Sequence, residues 1–486
     1  MKINEVHKRS PRPIKVLQFG EGNFLRGFVD YGIDVANEAG TFDGDVAIVK
    51  PRAGSMEKFK QQDNIYTVLL RGIKNGAVYE EERIITCIQK ALCAYEEYDA
   101  FMELAKLDSL EFVVSNTTEA GIVFEESDQL TDCPAKSYPA KLTKFLYERY
   151  TFFKGDMAKG LTILPVELIE DNGIVLKKYV QAYAKLWNLE PAFHSWLEQA
   201  NVFAGTLVDR IITGYPADSM DALTSRWGYE DALAVMGEPF GLWVIEADEK
   251  TAQKFSISSD GLTVDFTDKL KLYKERKVRI LNGAHTSMVL GAYLSGLDFV
   301  KECMDDAVLR GFIEKSVLKE IVPTVHLPRE KAEEFARFVF ERFENPFVKH
   351  ALLSISLNSV SKWRARVLPT LKDIVARDGK APALLTFSFA ALLAFYRSDI
   401  LENGCLRGQR GQDSYCISDD VQVLEFFARH AKDSDEELLQ AVASREDFWG
   451  EDLNQITGFA GRVLSALKDI RSLGMKEAVS LAVKGQ

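Results

Sequence analysis

Three polar side chains fall close together in the run Lys277-Val-Arg-Ile-Leu-Asn282-Gly-Ala-His285. At about 100° per residue they sit near 0°, 140° and 80° around a helix, and Lys274 joins them near 60°. An ammonium, an amide and an imidazole on one side of a helix suit a polyhydroxylated ligand. A lysine in a dry pocket loses much of its preference for charge and can relay a proton. The same residues also fit a solvated basic helix start, KLYKERK, followed by a core histidine.

A second constellation lies near the N-terminus. Gly20-Glu21-Gly22 follows the apolar run Ile14 to Phe19 and precedes Phe24, Phe28, Tyr31 and Val35 at helical spacing. Glycines in a strand-to-helix turn let backbone N–H groups approach a pyrophosphate, the logic of a dinucleotide fingerprint. The match is incomplete, because Leu25 holds the third glycine position and the next glycine is Gly27. The acid usual after the second strand is replaced by Lys50-Pro51-Arg52, and an arginine there hints at a 2′-phosphate. The nearest downstream carboxylate able to hold a ribose is Asp63. A third segment, Ser115 to Gly121 (SNTTEAG), follows a buried strand and reads either as a ligand loop or as Thr117 or Thr118 capping a helix from Glu119.

The elements that must position these groups fall into two halves. Over the first 170 residues, strands alternate with helices: Ile14 to Phe19, Val46 to Val49, Phe112 to Val114 and Leu161 to Leu164 read as strands, with a hairpin around Lys74-Asn75-Gly76. Such alternation predicts a mostly parallel sheet covered on both faces. From about residue 270, long helices are expected at 273–295, 329–343, 346–358 and 381–397. The fold class is therefore α/β, a Rossmann-like doubly wound domain (1–265) followed by a mainly α-helical domain (266–486). Leu401 to Cys416 reads as an exposed loop.

Composition narrows the function. The 486 residues carry a formal charge of −12, which argues against a nucleic-acid binder. The greasiest run, Leu384 to Phe395, falls short of the roughly 18 to 20 residues of a membrane span. The polar N-terminus lacks a signal core, and six scattered cysteines form no C-x-x-C pair, so reduced thiols and a cytoplasmic location are expected. His194, His326 and His430 show no ligand spacing, so no metal site is expected; Arg342 and Arg366 read as ion-pairing groups. The absence of G-x-S-x-G and of a P-loop removes serine hydrolases and P-loop kinases.

The chain resembles the long-chain polyol-specific dehydrogenases, the mannitol dehydrogenase family. The resemblance rests on Gly20-x-Gly22-x-Phe24-x-Arg26, Gln62-Asp63-x-x-Tyr66-Thr67, Thr117-x-Glu119-x-Gly121, Val208-Asp209-Arg210-Ile211, Glu238-Pro239-Phe240 and the spacing K-x-x-x-x-N-x-x-H. It implies a dehydrogenase in which Lys277 is the general acid/base, Asn282 polarises the carbonyl and His285 orients the substrate, with no metal. It implies NAD as cofactor, Asp63 being tied to that preference, and makes Phe19, Gly20, Gly22, Asn23, Phe24, Arg26, Asp63, Asn116, Thr117 and Thr118 the cofactor-binding candidates. Gly205 stands where the family often has an asparagine, and Lys274 where it has a glutamate. The second change puts positive charge where a sugar acid's carboxylate could sit, so Lys274, with Lys362 and Arg366, is expected to select a sugar-acid substrate. No nucleic acid, membrane or obligate protein partner is expected. Related sugar acids, neutral polyols and a non-catalytic NAD-binding module remain the alternatives.

Overall fold

The computed structural model describes residues 1–117 and 121–485 and divides into two compact units, Met1–Leu270 and Lys271–Gln486. In the first unit, six parallel strands form one sheet: β1 (Ile14–Phe19), β2 (Asp45–Lys50), β3 (Ile88–Cys93), β4 (Phe112–Ser115), β5 (Thr162–Pro165) and β6 (Val202–Phe203). Their order across the sheet is β3-β2-β1-β4-β5-β6, with Leu17 of β1 paired to Ala47 on one side and Val113 on the other. The chain reverses its direction of travel between β1 and β4, the switch point where ligands of doubly wound sheets lie.

Period-two alternation splits the apolar side chains of the central strands between two cores. Val16, Val46 and Ile48 pack on one face with Phe28 and Ile33, whereas Leu17, Phe19, Ala47 and Val49 pack on the other with Phe101 and Phe145. Both faces are covered, which is why the strands read as continuous apolar runs.

The hairpin around Asn75-Gly76 forms as its turn residues require, pairing Tyr66–Lys74 with Ala77–Ile85. It joins a four-stranded sheet with Val235–Gly237 and Ile212–Gly214, and a third sheet combines Thr263–Phe266, Leu242–Glu246 and Gly205–Asp209. These later strands lie beyond the expected strand-rich region.

The second unit is mainly helical, but three expectations for it need correction. The helix expected over 273–295 is Leu270–Arg276, a π-helical stretch Lys277–Asn282 and an α-helix Gly283–Leu294. The helix expected over 346–358 is only Leu352–Ile355, because Pro346 and the extended segment after it precede the helix. The segment expected to be a loop is a three-stranded antiparallel sheet, Leu401–Glu402, Cys405–Arg410 and Asp413–Ile417. Within that sheet Cys405 and Cys416 form a disulfide, Cα atoms 5.6 Å apart, so the expectation of six reduced thiols fails for this pair. Among the described residues, no helix is long and apolar enough to cross a membrane.

Candidate active site

The glycine turn of the first unit is built for close backbone approach. Gly20 has φ +121°, and a Cβ there would lie 3.0 Å from both the Asn116 carbonyl oxygen and Leu25 Cδ1. Gly22, by contrast, faces open space and sits just before the helical turn Asn23–Leu25. A turn with a glycine on either side of Glu21, leading into a helix N-terminus, fits a dinucleotide pyrophosphate. The missing third glycine is explained by position: Gly27 does the close packing, its absent Cβ leaving room for Ile212 Cδ1 at 2.8 Å.

Other cofactor candidates turn out to brace this turn. Arg26 is buried; its guanidinium donates to the carbonyl oxygens of Glu21 (3.2 Å) and Leu233 and to Asn23 Oδ1 (2.6 Å). Below the turn, Gln18 Nε2 donates to Gly20 O and to Asp30 Oδ2, both at 3.3 Å, and the Tyr66 hydroxyl donates to the same carboxylate at 2.7 Å. Burial raises the pKa of Asp30 to about 7. Phe19 is fully buried against Phe101 and Tyr138, while half-buried Phe24 stacks on Phe28 at 4.9 Å. The Asn116 N–H extends the β1–β4 pairing by donating to Phe19 O at 3.1 Å.

Thr117 N–H and its hydroxyl both donate to Glu167 Oε1, at 2.9 and 3.0 Å, and Ser115 donates to Oε2 at 3.0 Å. Thr117 therefore anchors its loop through a buried carboxylate that sequence reasoning missed; Glu167 lies 50 residues downstream with no local signal. Thr118 lies outside the described residues. Asp63 is exposed, in a left-handed turn (φ +53°), with Arg9 3.8 Å away. The motifs that carried the resemblance also hold one another. Arg210 donates to the carbonyl oxygens of Gly27, Phe240, Pro239 and Gly261, and the Glu238 carboxylate accepts the Ile211 N–H at 2.6 Å. At Gly205 a Cβ would lie 2.8 Å from Glu246 Oε2 and 3.0 Å from Leu270 Cδ2, so a side chain there would have to displace the ends of these two side chains.

In the second unit, the π-helical stretch changes the geometry of the Lys277 constellation. Gly283 N–H bonds back to Val278 O, five residues earlier, and such i→i+5 bonding stacks position 282 over position 277. Lys277 and Asn282 are thereby closer on the helix face than the 140° of an ideal α-helix, and His285 follows Asn282 by one α turn. Lys274 sits one turn before the π stretch, on the helix Leu270–Arg276. Lys274, Lys277 and Asn282 are all half-buried.

His285 is the electrostatic centre of this unit's site. Its ring stacks on Phe343 at 4.4 Å and meets His350 edge-on at 5.1 Å, and its buried Nε2 has no hydrogen-bond partner among the described residues. Burial foremost, then His350, Arg342, Arg366 and Lys362, holds its pKa well below the usual 6.5, so the ring is neutral near pH 7. Lys362 Nζ donates to Ile355 O at 2.9 Å, and Arg366 reaches the Thr286 hydroxyl at 3.5 Å. Gly283 lets the end of the helix Ser359–Arg366 approach: a Cβ there would lie 3.3 Å from Arg366 O. The structure thus brings His285, Lys362 and Arg366 together and adds Arg342 and His350. The polar run Arg342-Phe-x-Asn345-Pro346 was the available signal for Arg342; nothing marked His350. A neutral ring with an open hydrogen-bonding nitrogen amid Arg342, Lys362 and Arg366 can receive an anionic, hydroxyl-rich molecule.

Two family models match the chain: the mannitol dehydrogenase Rossmann domain over residues 14–259 and the mannitol dehydrogenase C-terminal domain over 269–471. The chain belongs to the mannitol dehydrogenase family. Its relatives include an altronate oxidoreductase of Bacillus subtilis (strain 168), 43% identical over 96% of this chain and 95% of the relative. Another is an altronate oxidoreductase of Klebsiella pneumoniae (strain 342), 44% identical over 96% of each chain. The fold is shared with a D-sorbitol dehydrogenase (TM-score 0.75, 21% identity, 96% of this chain and 95% of that one). It is shared also with the mannitol 2-dehydrogenase of Pseudomonas fluorescens, solved with NAD and D-mannitol (TM-score 0.64, 22% identity, 98% and 95%).

Proposed function

We propose that the protein is an NAD-dependent altronate oxidoreductase, reversibly reducing the ketone of D-tagaturonate to D-altronate in hexuronate breakdown in the cytoplasm. The unit Met1–Leu270 takes the dinucleotide and the unit Lys271–Gln486 takes the sugar acid. Relatives of 43% and 44% identity along almost the whole chain carry that name. The observation that carries the reading is the set of basic groups around His285, which suits a substrate bearing a carboxylate as well as hydroxyls.

Bound nicotinamide supplies the hydride that reaches the carbonyl carbon. Lys277 gives its proton to the carbonyl oxygen, and returns to the ammonium form in the oxidative direction. The Asn282 amide donates a hydrogen bond to the oxygen as negative charge develops on it. Neutral His285 orients the substrate through a hydroxyl, and Lys274, Lys362 and Arg366 attract the carboxylate. With an ammonium and an amide on the reacting oxygen, the chemistry needs no metal.

The test is a panel of keto-uronates and neutral ketoses followed through NADH absorbance. D-tagaturonate is expected to give the highest kcat/KM. Faster turnover of fructuronate or of fructose would move the assignment to another branch of the family, and no NADH oxidation with any ketose would remove the catalytic reading.

A further inference from the structure

The three-stranded sheet of the second unit contains the bonded cysteine pair, and the proposed reaction uses neither sulfur. Cys405 is buried on the central strand Cys405–Arg410, whereas Cys416 is exposed on the edge strand Asp413–Ile417. The two strands pair from Leu406 with Ile417 to Arg410 with Asp413. Their side chains rest on the helix Gly283–Leu294 that carries His285. Arg410 donates to the carbonyl oxygens of Tyr293 and Leu297, at 3.3 and 3.1 Å, and the Tyr415 ring meets the Tyr293 ring at 5.0 Å.

The edge strand runs directly into the groups that hold the helix Ser359–Arg366, on which Lys362 and Arg366 lie. The first N–H groups of a helix have no partner within it, and Asn358, at φ +53°, makes no side-chain cap. Acceptors come from distant segments instead. The Asn358 N–H donates to Ser418 O at 3.0 Å, the Val360 N–H to Asp419 Oδ2 at 3.3 Å, and the Ser359 N–H to the Tyr396 hydroxyl at 3.2 Å. That hydroxyl donates in turn to Asp419 Oδ2 at 2.5 Å. A carboxylate at this end of the helix also meets the positive end of its dipole. Ser418 and Asp419 follow Ile417 without a break, so opening of the edge strand would release the cap. An edge strand is paired on one side only and opens more readily than a central one. The bond from Cys416 to the central strand restrains that opening.

We propose that Cys405 and Cys416 are a reversible redox-modification site whose oxidised form holds Asp419 in place as the positioning residue for Lys362 and Arg366. The effect on substrate rests on the dehydrogenase reading. In the oxidising direction the Cys416 thiolate attacks a low-molecular-mass disulfide and releases one thiol; the Cys405 thiolate then attacks Cys416 Sγ and releases the second. Two protein thiols become one disulfide, the small disulfide becomes two thiols, and the protein's two protons end on them. The test treats the full-length protein with oxidised glutathione or with dithiothreitol and reads the pair by alkylation and mass spectrometry. The disulfide is expected in the first sample and two alkylated thiols in the second, interconverting when the reagents are exchanged. Hydrogen exchange at residues 358–360 should be at least fivefold faster in the reduced protein. The KM for D-tagaturonate should be at least threefold higher, with kcat within twofold. C416S, which keeps the exposed Cys133, should match the reduced protein under both reagents, and D419A should show fast exchange and the raised KM in either state. No disulfide after oxidised glutathione, or equal exchange in the two states, overturns the assignment. Faster exchange with an unchanged KM overturns the link to substrate. Hydrogen exchange needs no turnover, so failure of the dehydrogenase reading shows separately, as no NADH oxidation in either state.

Discussion

Asn282 and His285 act through different properties, and each makes its own prediction. An amide donor to a developing oxyanion is worth roughly 3 kcal/mol, so Asn282→Ala is expected to lower kcat on the order of 10²-fold in stopped-flow or steady-state assays. A loss of kcat under threefold would show that the amide does not face the reacting oxygen. His285 predicts a pH effect on stability. Its folded pKa lies well below 6.5, so the unfolded chain takes up a proton that the folded one refuses. The contribution of this group is complete above about pH 6.5 and is lost as pH falls toward the depressed value. Urea unfolding of wild type and His285→Asn at pH 7.5 and 5.5 should therefore show a smaller acid-side loss in the variant. The residue types of this site were legible from spacing alone, because K-x-x-x-x-N-x-x-H is local. The neutrality of the ring was not, since it depends on Arg342, His350, Lys362 and Arg366, which are 57 to 81 residues away along the chain.

At the scale of elements, the π-helical stretch Lys277–Asn282 and the glycine turn decide where the chemistry points. Deleting Val278 would convert the π stretch to α-helix and rotate Lys277 by about 100° relative to Asn282 and His285. Loss of turnover with helical circular dichroism retained is the expected outcome, and full activity would show that the π register is incidental. Gly20→Ala would force a Cβ to within 3.0 Å of Asn116 O at φ +121°, a conformation that L residues rarely adopt. NADH affinity should fall at least tenfold by titration; an unchanged Kd would separate the turn from cofactor binding. The strand-turn-helix was readable because turn glycines and apolar periodicity are local signals. The role of Arg26 was not, because its partner Leu233 lies 207 residues away, and the π bonding is invisible to a periodicity computed at 100° per residue.

For the whole molecule, a chain of net charge −12 concentrates basic groups where the proposed substrate is anionic. Arg366→Gln should raise KM for the keto-uronate about tenfold, the loss of one charged hydrogen bond, with kcat within threefold and little effect on a neutral ketose. Equal losses on both substrates would mean that Arg366 only supports the helix packed on Gly283. By itself the sequence determined four strands of the main sheet and the hairpin of the first unit, the glycine turn and the helix carrying Lys277, Asn282 and His285. Each of these depends on residues within a few turns of one another, where side-chain spacing and backbone propensity act directly. Only the tertiary structure decided that Thr117 is held by Glu167, that Gly205 faces the side chains of Glu246 and Leu270, and that 401–417 pairs into a sheet closed by Cys405–Cys416. It alone also gathered the cations around His285. Those outcomes follow from packing between segments far apart in the chain, where burial and through-space charge set the result and local periodicity carries no record of the partner.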